Sequence, residues 1–246
     1  EIRLSLVGSE MCIRDRVYID WADMDKDGPL CAEQMLYAAC FRVMAEISKQ
    51  LGKDGNVYRQ EYEKLTAAIE KFFWDEEKGA YIDSFTSGKR NVTRHANIFA
   101  ILFDIADKQK QEKILTNVLE NDEIPAITTP YFNFFELDVL CQMGKLTEVL
   151  DKIRSYWGGM LDLGAVTFWE EYDPSVPKEE QYDMYGDHFG KSLCHAWAAS
   201  PIYFLAKYFA GLDLVNKDGV TYVLKPQMQY FTDLDCTLPV SYTHLR

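Results

Sequence analysis

The chain has 246 residues, 48% of them hydrophobic and 14% aromatic, and a formal net charge of −13. That composition predicts a folded globular chain long enough for one sizeable core, with no run of ~18 apolar residues to span a membrane. So acidic a chain disfavours a nucleic-acid partner, whose backbone demands a basic surface, and suits a neutral ligand such as a sugar as well as it suits any soluble protein.

The two ends differ in character from the rest. Residues 5–16 (SLVGSEMCIRDR) and 240–246 (VSYTHLR) resemble translated sequencing-adapter DNA. The first is not a secretory leader: it lacks a long apolar core and carries Glu10, Arg14, Asp15 and Arg16. The expected organisation is a non-native 1–16, a helical domain over 17–211, the start of a β domain over 212–239 and a non-native 240–246. Residues 17–239 are expected to be a fragment, so compartment is left open. Beyond Cys12, the five cysteines Cys31, Cys40, Cys141, Cys194 and Cys236 are far apart and form no CxxC pair. They predict free thiols rather than a zinc site, and lean slightly toward a reducing, cytoplasmic setting. No metal or cofactor is expected.

Helical periodicity dominates the chain from Gly28 onward. Gly28-Pro29 opens a first helix, in which Leu36, Cys40, Val43, Ile47 and Leu51 fall on one apolar face and Gly52 marks the end. Tyr58, Tyr62, Leu65, Ile69 and Phe72 give a second helix. A third runs from about Thr93 to Ala106 with Ile98, Leu102 and Ile105 inward, and a fourth covers 108–121. A fifth begins near Tyr131 and ends at Gly144. A sixth carries Leu146, Val149, Ile153 and Trp157. The last spans 189–210, with Pro201 as a kink or break. The helices pair as hairpins over 30–77, 93–121 and 131–157, the pattern of an open solenoid or a closed toroid. They share no repeated signature, which argues against a consensus solenoid.

From Gly158 to His188 no strong helix is predicted, and a gap that long in a compact domain is usually functional. It holds Thr167, Trp169, Glu170, Glu171, Tyr172, Asp173, Tyr182, Asp183, Tyr185 and Asp187. Sugar rings stack on aromatic faces, carboxylates accept bonds from hydroxyls, and paired carboxyl groups hydrolyse glycosides. After Gly211 the pattern turns β-like, as in GVTYVLKP at 219–226.

The segments YIDWADMDKDGP, RHANIFAILFD, YWGGMLDLGAVTFWEEYDP and GKSLCHAWAASPIYFLAKYFAGL together resemble the bacterial α-L-rhamnosidases of glycoside hydrolase family 78. The resemblance covers nearly all of 17–239. It implies a mainly α chain: a partial (α/α)6 barrel, or helical toroid, followed by the start of a C-terminal β-sandwich. It also implies an inverting mechanism on a rhamnose-containing glycoside or oligosaccharide, in which a general acid and a general base lie roughly 6.5–9.5 Å apart with water between them. The family's base is the glutamate directly after the tryptophan of the TFWE segment, here Glu170. Its general acid lies in a motif upstream of the DW segment that does not occur after Arg16, so the chain is expected to lack the acid and to be inactive alone.

By the same resemblance, Trp21 and His195 match sugar-contacting residues. Asp20 either bonds a hydroxyl or caps a turn. Trp157 and Trp169 either wall the pocket or fill the core. Glu171 orients substrate or supports the loop, while Arg94 and His95 are exposed or line the barrel. Two other readings compete: another (α/α)6 glycosidase or a polysaccharide lyase, the latter disfavoured by the acidic loop, and a non-catalytic carbohydrate-binding helical scaffold. Oligomeric state, aglycone and linkage are not legible.

Overall fold

The computed structural model describes residues 19–214 and 222–235. The expectations for 1–16 and 240–246, and those for Cys12 and Cys236, lie outside the described residues. The chain divides into two compact units, Glu1–Thr128 and Thr129–Arg246.

The first unit is built on helix α1 (Cys31–Gln50), α2 (Asn56–Phe73), a minimal hairpin of β1 (Trp74–Asp75) and β2 (Ala80–Tyr81), α3 (Arg94–Leu102) and α4 (Lys108–Ile114), which widens into a π-helical turn at Leu115–Leu119. Pro29 lies ahead of α1, and the cap residue Leu30 is extended. The helix is anchored by the N–H of Cys31 donating to the carbonyl of Asp83 at 2.8 Å. Cys31, Met35 and Ala38, at i, i+4 and i+7, are fully buried, and α1 packs on both α2 and α3. From α2 come Leu65, Ile69 and Phe73, again at helical spacing and buried.

The stripe expected to be the core face of α1 is not the buried one. Leu36, Val43, Ile47 and Leu51 are exposed, as is Cys40, and Met44 joins them. The face turned inward is instead the one with alanines, Ala32, Ala38 and Ala39, whose small side chains let α2 and α3 approach closely. Helix α3 differs again: every residue from Arg94 to Ile101 is buried. Ile98 is inward as expected, while Leu102 and Ile105 are only half-buried.

The second unit begins with α5 (Pro130–Gln142). Thr129 caps it by accepting from the N–H of Phe132, and Pro130 occupies the first turn, where its missing N–H costs nothing. Helix α6 (Leu146–Lys152) continues through a π-helical turn at Ile153–Trp157 into Gly158–Asp162, slightly past the end that the sequence predicts. The last helix, α7, is Ser200–Phe204, followed by a π-helical turn at Leu205–Phe209. It starts eleven residues later than expected; Pro201 lies in its first turn and starts the helix rather than kinking it. Leu137, Val149, Leu150, Tyr156, Trp157, Met160, Trp169, Phe204 and Phe209 form the core of this unit. Two short strands, β3 (Leu212–Leu214) and β4 (Tyr222–Leu224), pair antiparallel with Leu212 opposite Leu224. They begin the segment expected as a β domain; residues 215–221 and 236–239 of it lie outside the described residues.

Candidate active site

The loop between α6 and α7 folds back on itself. The hydroxyl of Thr167 donates to the carbonyl of Leu193, and the N–H of His195 donates to the carbonyl of Phe168 at 2.8 Å. The N–H of Glu170 donates to the carbonyl of Ser192 at 2.9 Å. These bonds lay 166–170 beside 192–195. Trp169 is buried in the core, so its neighbour Glu170 is carried at the boundary between packed interior and loop.

The Glu170 carboxylate is held at both oxygens. Oε2 accepts from the N–H of Ser192 at 3.0 Å, and Oε1 accepts from the hydroxyl of Tyr185 at 2.8 Å. Its side chain is only 7% exposed, and the His195 Nδ1 lies 3.9 Å from Oε2. The Glu170 carbonyl accepts from the indole N–H of Trp197 at 3.0 Å, and the His195 and Trp197 rings are 4.5 Å apart. Trp197 in turn stacks on Tyr131.

Tyr185 reaches Glu170 from a two-residue turn. Met184 and Asp187 exchange backbone bonds at 2.9 Å across Tyr185 and Gly186, both of which have positive φ, +56° and +81°. Two such residues make the turn whose twist suits a tight hairpin, easy for glycine and strained for tyrosine. Donating to a carboxylate holds the Tyr185 phenol above its ordinary range, because the neutral hydroxyl is the form that makes the bond.

Glu171, which follows the base candidate, faces a different partner. Its Oε2 lies 4.0 Å from the Nζ of Lys191, a lysine whose side chain is nearly closed off from solvent. Burial pulls the Lys191 ammonium below its ordinary range, and Glu171, Asp173, Glu170 and Asp183 act in the opposite sense. Trp157 lies in the core with its indole N–H donating to the carbonyl of Ala198 at 2.8 Å.

Asp20 and Trp21 lie in the first unit. Asp20 is buried, with Oδ2 at 3.0 Å from the Nε2 of His95, which is buried too. The His95 Nδ1 meets the Thr93 hydroxyl at 3.3 Å, and that hydroxyl donates to Asp83 Oδ1 at 2.7 Å. Asp83 also accepts from the backbone N–H groups of Asp25 and Thr93 and from the Asn91 amide. Trp21, one residue along from Asp20, is partly exposed at 37%.

The structure therefore brings together Glu170, Glu171 and His195 in the second unit, and places Asp20 against His95 in the first, with Trp21 the next residue along. His95 and Arg94 are buried rather than exposed. Sequence reasoning missed Tyr185, Ser192 and Trp197 as partners of Glu170, and Lys191 as the partner of Glu171. Tyr185-Gly186 is a weak turn signal, while nothing local distinguishes Lys191 from a solvated lysine. Among the described residues no group of three or more His, Cys, Asp or Glu could hold a metal ion, and no helix is long and apolar enough to cross a membrane.

The second unit thus carries a glutamate held at both carboxylate oxygens and at its carbonyl, with tyrosine and tryptophan as two of its partners. The family model of the bacterial α-L-rhamnosidase six-hairpin glycosidase domain matches residues 7–209, and the chain belongs to that family of glycoside hydrolases. Among solved structures it is similar to a rhamnosidase from Klebsiella oxytoca with rhamnose bound, at 28% identity and a TM-score of 0.65, over 84% of this chain and 40% of that one. It is similar to a family 78 rhamnosidase of Bacillus sp. GL1 at 25% identity and a TM-score of 0.73, over 89% of this chain and 24% of that one. A Streptomyces avermitilis α-L-rhamnosidase complexed with L-rhamnose shares the fold, at 18% identity and a TM-score of 0.64, over 86% of this chain and 20% of that one. The chain thus spans well under half the length of these proteins. No curated protein matches it.

Proposed function

We propose that this chain is part of the catalytic domain of an inverting α-L-rhamnosidase, with Glu170 as the general base. The observation that carries the reading is the clamp on Glu170. A carboxylate fixed by the Ser192 N–H and the Tyr185 hydroxyl, with His195 at 3.9 Å, is oriented as a base must be. In the reaction, Glu170 takes a proton from a water on the face of the sugar opposite the leaving group, while a general acid protonates the glycosidic oxygen. We assign no general acid within this chain. The reading puts it in the part of the complete protein that the longer relatives have and this chain does not span.

His195 serves as a sugar contact beside Glu170, and Trp21 and Asp20 keep the sugar-contact role that the family resemblance implies for them. Asp20 is held by His95 for that purpose, and Glu171 supports the loop. Trp157 serves the turn that carries His195, through Ala198. We further propose that the hairpins belong to an (α/α)6 toroid with a β-sandwich after it. The exposed apolar stripe of α1 supports this, since a further hairpin would cover it.

Substitution in the complete protein tests the reading. Glu170→Gln keeps size and most hydrogen bonding but removes the base, so turnover of an aryl α-L-rhamnoside should fall ~10²-fold or more while binding of L-rhamnose survives. Glu171→Gln should be milder. Greater damage from the Glu171 change would reverse the assignment of the two acids. Hydrolysis by this chain alone would place the acid within it.

A further inference from the structure

Lys191 is a feature of the loop that catalysis by Glu170 does not use. Its side chain is almost fully enclosed, an expensive place for an ammonium group unless opposite charge surrounds it. Here it is surrounded. Glu171 is nearest, and Glu170, Asp173 and Asp183 also act on it. The chain is fixed on both sides of this lysine. Its own N–H donates to the carbonyl of Tyr182 at 3.2 Å, and the N–H of the next residue, Ser192, holds Glu170 Oε2. The preceding Gly190 permits the approach: a Cβ there would lie 2.2 Å from the carbonyl oxygen of Met184, inside the Tyr185 turn.

We propose that Lys191 is a positioning residue for the reaction, the buried counter-charge that lets adjacent Glu170 and Glu171 be ionised together and keeps Glu171 turned away from the substrate side. The inference rests on the reading of Glu170 as the base. Two neighbouring carboxylates oppose each other's ionisation, and an ammonium group beside one of them relieves that opposition. The other groups facing the pair are the Tyr185 phenol and the His195 imidazole on Glu170. His188, against Asp183 at 2.5 Å, stands one step further out.

The test is the pH–rate profile of the complete protein on an aryl α-L-rhamnoside. In Lys191→Met, kcat should fall about tenfold with KM little changed, and the acid limb should move up by ~1 pH unit, because carboxylates that lose a cation hold their protons to higher pH. Lys191→Arg, which keeps the charge, should return the limb to its original place. In the double variant Lys191→Met with Glu171→Gln, the limb should also move back, since the unneutralised neighbour is gone. A purely structural lysine would not give that recovery. An unmoved limb in Lys191→Met, or a double variant no better than the single one, overturns the proposal; Lys191→Gln replaces the methionine variant if that one does not fold. Carboxyl NMR titration of Glu171 in this chain gives a readout independent of catalysis. It should move up by ~1 unit in Lys191→Met and stay in place in Lys191→Arg, and a methionine variant that coincides with the unsubstituted chain also overturns the proposal. Full turnover by Glu170→Gln would instead sink the reading of Glu170, leaving the Glu171 titration to decide the role of Lys191.

Discussion

Glu170 and Ser192 bind each other twice: the Glu170 N–H donates to the Ser192 carbonyl at 2.9 Å, and the Ser192 N–H returns a bond to the Glu170 carboxylate at 3.0 Å. The second bond comes from backbone, so no side-chain substitution at 192 short of proline removes it. The hold on Oε2 is therefore a property of the loop path, while Oε1 depends on the Tyr185 hydroxyl. Whatever perturbs that path should reach Glu170.

Trp197 is the first such handle. Its indole N–H bonds the Glu170 carbonyl, and its ring packs against those of Tyr131 and His195. Trp197→Phe should keep the ring contacts in part and lose the bond. The expected result in the complete protein is a fall of roughly tenfold in kcat/KM, with a loss of about 1 kcal/mol in stability. Steady-state kinetics and thermal melting check both.

The pair Asp20–His95 gives a separate stability test, confined to the first unit. Both partners are buried, and His95 also meets Thr93. His95→Ala removes the bond to a buried carboxylate, so a loss of about 1–3 kcal/mol is expected. For a chain of this size that corresponds to a drop in melting temperature of about 2–4 °C per kcal/mol. Asp20→Asn keeps a hydrogen-bonding group at the same place and should cost less. A His95 variant that melts with the unsubstituted chain would show that the pair is not a stabilising contact.

Asp83 gives a pH dependence. Burial is the largest influence on its carboxyl and raises it from the ordinary 3.8, against the lowering effect of the bonds from Thr93, Asp25 and Asn91. The folded chain then holds this proton more tightly than the unfolded chain does. Its stabilising contribution is thus present in full below pH 3.8 and declines as pH rises through the raised value. Asp83→Asn should flatten that component of a stability–pH curve. It should also cost about 2 kcal/mol at neutral pH, because an amide nitrogen faces donors where an oxygen had accepted from them. Chemical denaturation from acid to neutral pH measures both effects.

The helical hairpins were legible in the sequence because helix periodicity is local, as in Leu65, Ile69 and Phe73 of α2. Which face of α1 is buried was not. Two apolar stripes compete on that helix, and the larger side chains of Leu36, Val43 and Ile47 outweigh Ala38 and Ala39 in any reading by hydrophobicity. The closeness of α2 and α3, a non-local fact, decides for the alanines. The start of α7 was misplaced for a related reason. Apolar residues at 193–199 serve loop contacts, such as Trp197 to Tyr131, rather than a helix face. At the site, the TFWE and SLCH segments pointed to Glu170 and His195 through the family resemblance. The partners of Glu170 did not show, because Tyr185 and Ser192 meet it only when the loop doubles back.

The last prediction separates the Tyr185 hydroxyl from the turn that presents it. Tyr185→Phe removes the bond to Oε1 and keeps the ring, and Oε2 stays bound to Ser192. One bond to a charged group is worth about 1.5–3 kcal/mol, so kcat should fall by roughly 10- to 100-fold if all of it is used in the transition state. Gly190→Ala attacks the turn instead. Its new methyl would stand 2.2 Å from the Met184 carbonyl oxygen, which is backbone and cannot rotate aside, so the turn at 184–187 must shift. That shift carries the Tyr185 hydroxyl away from Glu170 and displaces residue 191 and the Ser192 N–H with it. Gly190→Ala should therefore be more damaging than Tyr185→Phe, although it removes no functional group. Adding Tyr185→Phe to Gly190→Ala should then cost little more, because the bond is already broken. Additive losses in kcat would mean that the turn does not serve to place Tyr185 on Glu170.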